Sequence, residues 1–299
     1  MRGIVTGLNI PFNDDDRIDM GGLCANVDAA CHAGVAGFLV PALASEVGSL
    51  SESERGDIVR AVVNTSAGRV PVIGGASADT QTQRLRLADE LLSVGCQGIL
   101  VNMPPCDEET FEQDLSALAD RGGDFVMLQD WDPVGEGLSI PFITRLFEHI
   151  PNFTWLKIEV IPAGPKYTRV LEATQGQLNV SGGWAVMQMM EALERGVHVF
   201  MPTAMHTIYT RIYALFATGQ HQDARALFEQ VLPVLAFSNQ RLDISIHFFK
   251  RLLHKQGLYA TAKVRPPIAP LDSIQDRTAD ALIERVIALE VSLLKSGHE

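Results

Sequence analysis

Eight short apolar runs, each followed by a longer amphipathic stretch, constrain this chain more than any other feature. The runs are Ile4–Leu8, Gly37–Val40, Val70–Ile73, Gly98–Val101, Phe125–Leu128, Thr154–Lys157, Leu178–Val180 and Val197–Met201. Runs this short, rich in β-prone residues and bounded by turn formers, read as buried strands. Helical periodicity fills the intervals, at 19–33, 52–66, 79–94, 108–121, 139–149, 165–174, 184–194 and 203–217. Eight strand-then-helix units in succession are the count for an α/β chain of the (β/α)8 TIM-barrel class. An open doubly wound sheet is the competitor, but no G-x-G-x-x-G follows the first run and no Walker sequence occurs anywhere.

The boundaries carry their own chemistry. Ser51-Glu52-Ser53-Glu54 opens a helix with an N-cap serine and a capping-box glutamate three residues on. Gly34, Gly95 and Gly196 each close a helical stretch just before an apolar run, as a helix C-terminus turning back into a strand requires. Past residue 218 the alternation stops. His221–Phe237, Leu242–Gln256 and Arg277–Leu294 are helical by period with no strand signal between them, and Pro266-Pro267 and Pro270 break the chain before the last. The expected organisation is a barrel over 1–218 and a C-terminal helical extension over 219–299, packed on the barrel as a support or oligomer surface.

Composition removes several function classes. A formal net charge of -12 with no Lys/Arg tract argues against nucleic acid or an anionic membrane as partner. Cys24, Cys31, Cys96 and Cys106 show no C-x-x-C spacing, so neither a zinc knuckle nor a disulfide framework is expected; they read as reduced and mostly buried, in keeping with a cytoplasmic protein. No signal peptide is read at Met1-Arg2-Gly3-Ile4-Val5, and no apolar stretch approaches the ~18 residues of a membrane helix. No cluster of His, Asp or Glu has metal spacing, and neither a metal nor a cofactor is expected. His198 and His206 read as structural.

Within this frame Phe153-Thr154-Trp155-Leu156-Lys157-Ile158-Glu159 stands out. A lysine in a greasy strand is paired with a carboxylate or held as a nucleophilic amine, because a lone buried ammonium costs several kcal/mol. Glu159 lies two residues on, on the same strand face, so the ion pair is possible. In a barrel, functional groups project from the C-terminal ends of strands. Those ends are Ala42-Leu43-Ala44-Ser45-Glu46, Asn102-Met103-Pro104-Pro105-Cys106, Gln129-Asp130-Trp131-Asp132, Lys157-Ile158-Glu159 and Ser181-Gly182-Gly183-Trp184. A desolvated amine among them suits attack on a ketone to give a Schiff base.

The opening Gly3-Ile4-Val5-Thr6-Gly7-Leu8-Asn9-Ile10-Pro11-Phe12 and the placement of Lys157 resemble the dihydrodipicolinate synthase / N-acetylneuraminate lyase family of class I aldolase-type barrels. The resemblance spans nearly the whole chain. Ser45-Glu46, Met103-Pro104-Pro105, Val126-Met127-Leu128-Gln129-Asp130 and Lys157-Ile158-Glu159 are most similar to its 2-keto-3-deoxy-L-arabonate dehydratase branch. It implies Lys157 as the Schiff-base lysine, a 2-keto acid as the small-molecule substrate, and a homo-oligomer, tetramer or dimer. The departures are equally specific. The family's paired threonines after strand 2 are replaced within Ala42-Leu43-Ala44-Ser45-Glu46, its tyrosines fall on Pro105 and Cys106, and Asp107 and Glu108 stand near its arginine. The candidate catalytic set is therefore Lys157, Glu159 and Cys106, the last as a substitute acid/base if its thiol pKa is lowered. Candidate substrate contacts are Ala44, Ser45, Glu46, Gln129, Asp130, Gly182 and Gly183. The expected reaction is dehydration of a 2-keto-3-deoxy sugar acid. Pyruvate-dependent aldol cleavage or dihydrodipicolinate synthase-like condensation is one alternative, and a degenerate, non-catalytic 2-keto acid-binding barrel is the other.

Overall fold

A computed structural model describes residues 1–296. Eight strands close into a barrel in chain order: β1 (Gly3–Gly7), β2 (Gly37–Val40), β3 (Val72–Gly75), β4 (Gly98–Val101), β5 (Phe125–Asp132), β6 (Phe153–Val160), β7 (Asn179–Gly182) and β8 (Val199–Phe200). Between and after them run α1 (Met20–His32), α2 (Glu52–Ser66), α3 (Gln81–Ser93), α4 (Glu108–Ala119), α5 (Ile140–His149), α6 (Ala163–Ala173), α7 (Met189–Glu194) and α8 (His206–Ala217). Three more helices follow, α9 (His221–Ser238), α10 (Leu242–Lys255) and α11 (Ser273–Ser296). The TIM-barrel expectation and the helical extension hold. No helix among the described residues is long and apolar enough to cross a membrane.

Local chemistry accounts for most boundaries. Ser51 Oγ accepts from the Glu54 N–H at 3.2 Å while Glu54 Oε2 accepts from the Ser51 N–H at 2.8 Å, the capping box read from the sequence. Gly34, Gly95 and Gly196 take φ of +84°, +103° and +86°, the left-handed turn that ends a helix. Two strands outrun their apolar cores. β5 and β6 are eight residues each, because the parallel ladder continues through Gln129↔Lys157, Asp130↔Ile158, Trp131↔Glu159 and Asp132↔Val160 although polar residues enter. The stretch expected as one helix over 184–194 divides into a 3₁₀ turn, Trp184–Gln188, and α7.

Internal contacts divide the chain into two compact units. One comprises Pro71–Met201 with Met1–Arg2, and so holds β3 to β8. Its core is the Leu, Ile, Val and Phe of those strands and of the inner faces of α3 to α7, among them Ile73, Ile99, Val126, Leu156, Ile158 and Val180, all at most 1% exposed.

The other unit comprises Gly3–Val70 and the chain from Pro202 onward. Here an extended strap after α10 is laced to the loop that follows β1. Tyr259 Oη donates to Asn9 O at 2.6 Å, Thr261 Oγ1 to Phe12 O at 2.6 Å, Lys263 Nζ to Asp14 O at 2.8 Å, and Arg265 to Asp16 O. The Phe12 ring lies 4.2 Å from Lys250 Nζ and 4.1 Å from Arg265 Cζ. A buried polar chain runs beside it: Thr6 Oγ1 meets His206 Nδ1 at 3.3 Å, His206 Nε2 meets Asn26 Oδ1 at 2.9 Å, and Asn26 Nδ2 donates to Tyr259 Oη at 2.9 Å. These contacts suit a neutral ring with its proton on Nε2, and burial lowers the His206 pKa from 6.5 to about 4.

Candidate active site

Strand β6 alternates strictly enough to set two residues apart from the apolar core. Lys157 is 9% exposed, and its Nζ lies 3.4 Å from Glu159 Oε2. That separation exceeds the 2.7–2.9 Å of a tight charge-assisted hydrogen bond. Gln129, opposite Lys157 in the β5–β6 register, donates from Nε2 to the same Glu159 oxygen. The group is therefore an amine, a carboxylate and an amide on one face of two adjacent strands. The carboxylate is positioned to receive or return a proton, and the amide fixes its plane.

Gly183 makes the arrangement possible. A Cβ built there would lie 2.0 Å from Glu159 Oε1 and 2.5 Å from Lys157 Cε, so any side chain would occupy the space both groups use. Gly183 is expected beside the substrate; the notch it leaves holds the chain's own Glu159. Gly182 pairs with Ile158 and Phe200, and its carbonyl accepts from Met201 N–H at 3.0 Å.

Ser181 was missed. It pairs with Lys157 in the β6–β7 register, is 0% exposed, and its hydroxyl has no hydrogen-bond partner. A buried hydroxyl is normally satisfied, so an orphan level with the Lys157 side chain marks a position that a ligand can complete. The available signal was register: Ser181 occupies the same level on β7 as Lys157 on β6, which becomes visible only once both strands are aligned.

Other expectations need correction. Asp130 does not join Lys157. One residue out of phase with Gln129, it faces the opposite side, where it is buried against Lys166 of α6 and accepts from Leu138 N–H at 2.9 Å. Burial pushes its pKa up, with Lys166 pulling the other way. Cys106 is exposed, and partial desolvation followed by Asp107 and Asp114 pushes its thiol pKa up, the reverse of what an acid/base substitute needs. Of the four free cysteines only Cys96 is buried, so the expectation of mostly buried thiols fails.

The segment after β2 is occupied by its own contacts. Ser45 Oγ donates to Leu8 O at 2.6 Å and accepts from Ala42 N–H at 3.0 Å, which makes it a turn-closing serine. Ala44 offers its carbonyl to Asn9 Nδ2 at 2.7 Å. Glu46, held at φ +56°, puts Oε1 2.5 Å from Lys250 Nζ and Oε2 2.8 Å from the Arg265 N–H. Both side chains of that ion pair are 0% exposed, and burial lowers the Lys250 pKa to about 8 against the upward pull of Glu46. Ser45 and Glu46 thus spend these polar atoms on holding the turn. His198 is structural as read, its Nδ1 accepting from Val180 N–H at 2.9 Å.

Comparisons with known proteins agree with this architecture. Residues 1–286 match the Dihydrodipicolinate synthetase family. A 4-hydroxy-tetrahydrodipicolinate synthase of Xanthomonas campestris pv. campestris is 28% identical over 298 residues, covering 97% of this chain and 96% of its own. The L-2-keto-3-deoxyarabonate dehydratase of Azospirillum brasilense is 27% identical over 283 residues, covering 90% and 89%. Among solved structures, the 4-hydroxy-tetrahydrodipicolinate synthase of Methylacidiphilum fumariolicum SolV gives a TM-score of 0.86 over 99% of both chains at 19% identity. The chloride-inhibited dihydrodipicolinate synthase of Acinetobacter baumannii, complexed with pyruvate, gives 0.85 over 95% of this chain and 98% of its own, also at 19%. The last two likenesses are likenesses of fold.

Proposed function

We infer the reaction from one established premise: the chain belongs to the dihydrodipicolinate synthetase family, and with that family it is a lyase of the Schiff-base aldolase type. Our reading is that Lys157 Nζ attacks C2 of a 2-keto acid and, with loss of water, forms an imine. Glu159 then takes a proton from C3, leaving an enamine. The enamine electrons expel the hydroxyl on C4 as the same carboxylate returns its proton, and water hydrolyses the unsaturated imine to free the lysine. The net change is loss of one water from a 2-keto-3-deoxy sugar acid.

The observation that carries this reading is the Glu159 carboxylate 3.4 Å from Lys157, held by Gln129. A base and an acid within reach of one iminium is the minimum equipment for elimination. The likeness to the Azospirillum dehydratase supports it. Condensation or cleavage through the same enamine is supported as well by the likeness to the Xanthomonas synthase, over a larger share of the chain. The free cysteines suit a reducing cytoplasm, and a homo-oligomer belongs to the same reading.

The test is borohydride reduction in the presence of pyruvate or a 2-keto-3-deoxypentonate, followed by peptide mass analysis. An adduct on Lys157, absent in Lys157→Arg, is expected. No adduct, or one confined to another lysine, refutes the reading. Turnover of the same acids, followed as unsaturated or semialdehyde product against released aldehyde, separates dehydration from aldol chemistry; an adduct without turnover on any of them makes the chain a binder.

A further inference from the structure

Trp131 stands between two aspartates that are both tied down. Asp130 is fixed by Lys166 and the Leu138 N–H. Asp132 accepts from the N–H groups of Val134, Gly135 and Gly137 at 3.1, 2.9 and 3.2 Å, folding the turn after β5 around its carboxylate. The backbone that carries the indole is therefore tied on both sides. Two residues beyond Gln129, Trp131 shares that residue's face of β5, and it pairs in register with Glu159. It is nevertheless 44% exposed.

Its surroundings follow the same pattern. In the unit that spans 71–201, the exposed large apolar side chains among the described residues are Trp131, Val134, Ile161 and Met187, at 44, 94, 68 and 42%. Trp131 lies in β5, Val134 and Ile161 just past β5 and β6, and Met187 in the 3₁₀ turn that follows β7; these three strands bear Gln129, Lys157 and Ser181.

We propose that Trp131 is a specificity-determining residue, a fixed aromatic platform for the C–H face of the substrate's carbon chain beyond C4. The proposal rests on the Schiff-base reading of Lys157. With C2 joined to Nζ, the keto acid begins at the level of Glu159, and Trp131 stands beside that level on the neighbouring strand. Pyruvate ends before it reaches the ring; a chain of five or six carbons lies across it. Stacking of such a chain on an indole is worth roughly three- to tenfold in affinity.

The experiment compares wild type with Trp131→Ala and Trp131→Phe on two readouts: borohydride trapping of pyruvate on Lys157, and KM and kcat for 2-keto-3-deoxy acids of five and six carbons. Because the side chain is half in solvent, both variants are expected to match the wild-type melting temperature. Trp131→Ala should raise KM for the longer acids three- to tenfold with little change in kcat, Trp131→Phe should restore most of the loss, and the pyruvate concentration for half-trapping should stay constant. Unchanged KM for the longer acids overturns the platform, and so does an equal loss of pyruvate trapping, which would mark a general disturbance of the site. Wild-type protein that fails to trap any 2-keto acid refutes the Schiff-base reading itself, and the platform falls with it.

Discussion

His206 supplies a pH dependence of stability that can be worked out from its surroundings. Both ring nitrogens are engaged, Nδ1 by the Thr6 hydroxyl and Nε2 by Asn26, and burial lowers the pKa from 6.5 to about 4. The folded ring resists protonation until about pH 4, whereas the unfolded ring takes its proton near 6.5. Between those values the unfolded chain binds more protons, so this contribution is full above pH 6.5 and is lost as pH falls toward 4. A shift of this size corresponds to about 3 kcal/mol in total, of which about 2.5 kcal/mol falls between roughly pH 7.5 and 4.5. Urea unfolding at both pH values, for wild type and His206→Gln, isolates it. The variant will be less stable at neutral pH because a packed ring is lost, but the wild type should lose about 2.5 kcal/mol more than the variant on acidification. Parallel losses in the two proteins, or an NMR titration of the His206 ring near pH 6.5, would refute the reasoning.

Three further outcomes follow from the same contacts. Gly183→Ala should fold normally, because the atoms nearest its Cβ belong to the movable side chains of Glu159 and Lys157, yet it should slow turnover at least tenfold while leaving some trapping on Lys157; unchanged kcat would show that Glu159 has no need of the notch. Lys250→Met leaves the Glu46 carboxylate buried without its cation and should cost about 3–5 kcal/mol in chemical denaturation, a loss that Glu46→Gln in the same chain should partly recover. Ser181→Ala removes an unsatisfied buried hydroxyl and should leave stability unchanged or raise it by about 1 kcal/mol; a raised KM in that variant would assign the hydroxyl to the substrate.

The fold was written plainly in the chain. Hydrophobic period located every strand, because each carries or adjoins apolar residues that must be buried, and the capping box at Ser51 and the glycines at 34, 95 and 196 mark several ends. Strand length was harder to read. The ladder past Leu128 and Lys157 is a property of backbone pairing, and Gln129, Asp130 and Glu159 hide it in a search for apolar runs. The site was read in part for the same reason. Lys157 and Glu159 stand two apart on one strand, so their contact follows from the pleat. Asp130 and Gln129 are adjacent in sequence and point to opposite faces, which only the strand phase reveals. Ser45 and Glu46 carried the right chemistry for a ligand, but their partners, Leu8 O and Lys250, lie 37 and 204 residues away in the chain.

The strap from Tyr259 to Arg265 has a bearing on biosynthesis. Its partners, Asn9, Phe12, Asp14 and Asp16, leave the ribosome well before it, and the residues that cap their carbonyls are made some 250 positions later. During translation the opening loop therefore waits with these carbonyls bonded only to water, while β3 to β8 can pair among themselves as they emerge. A nascent chain halted before Tyr259 should be cut by protease near its beginning and resist in its middle.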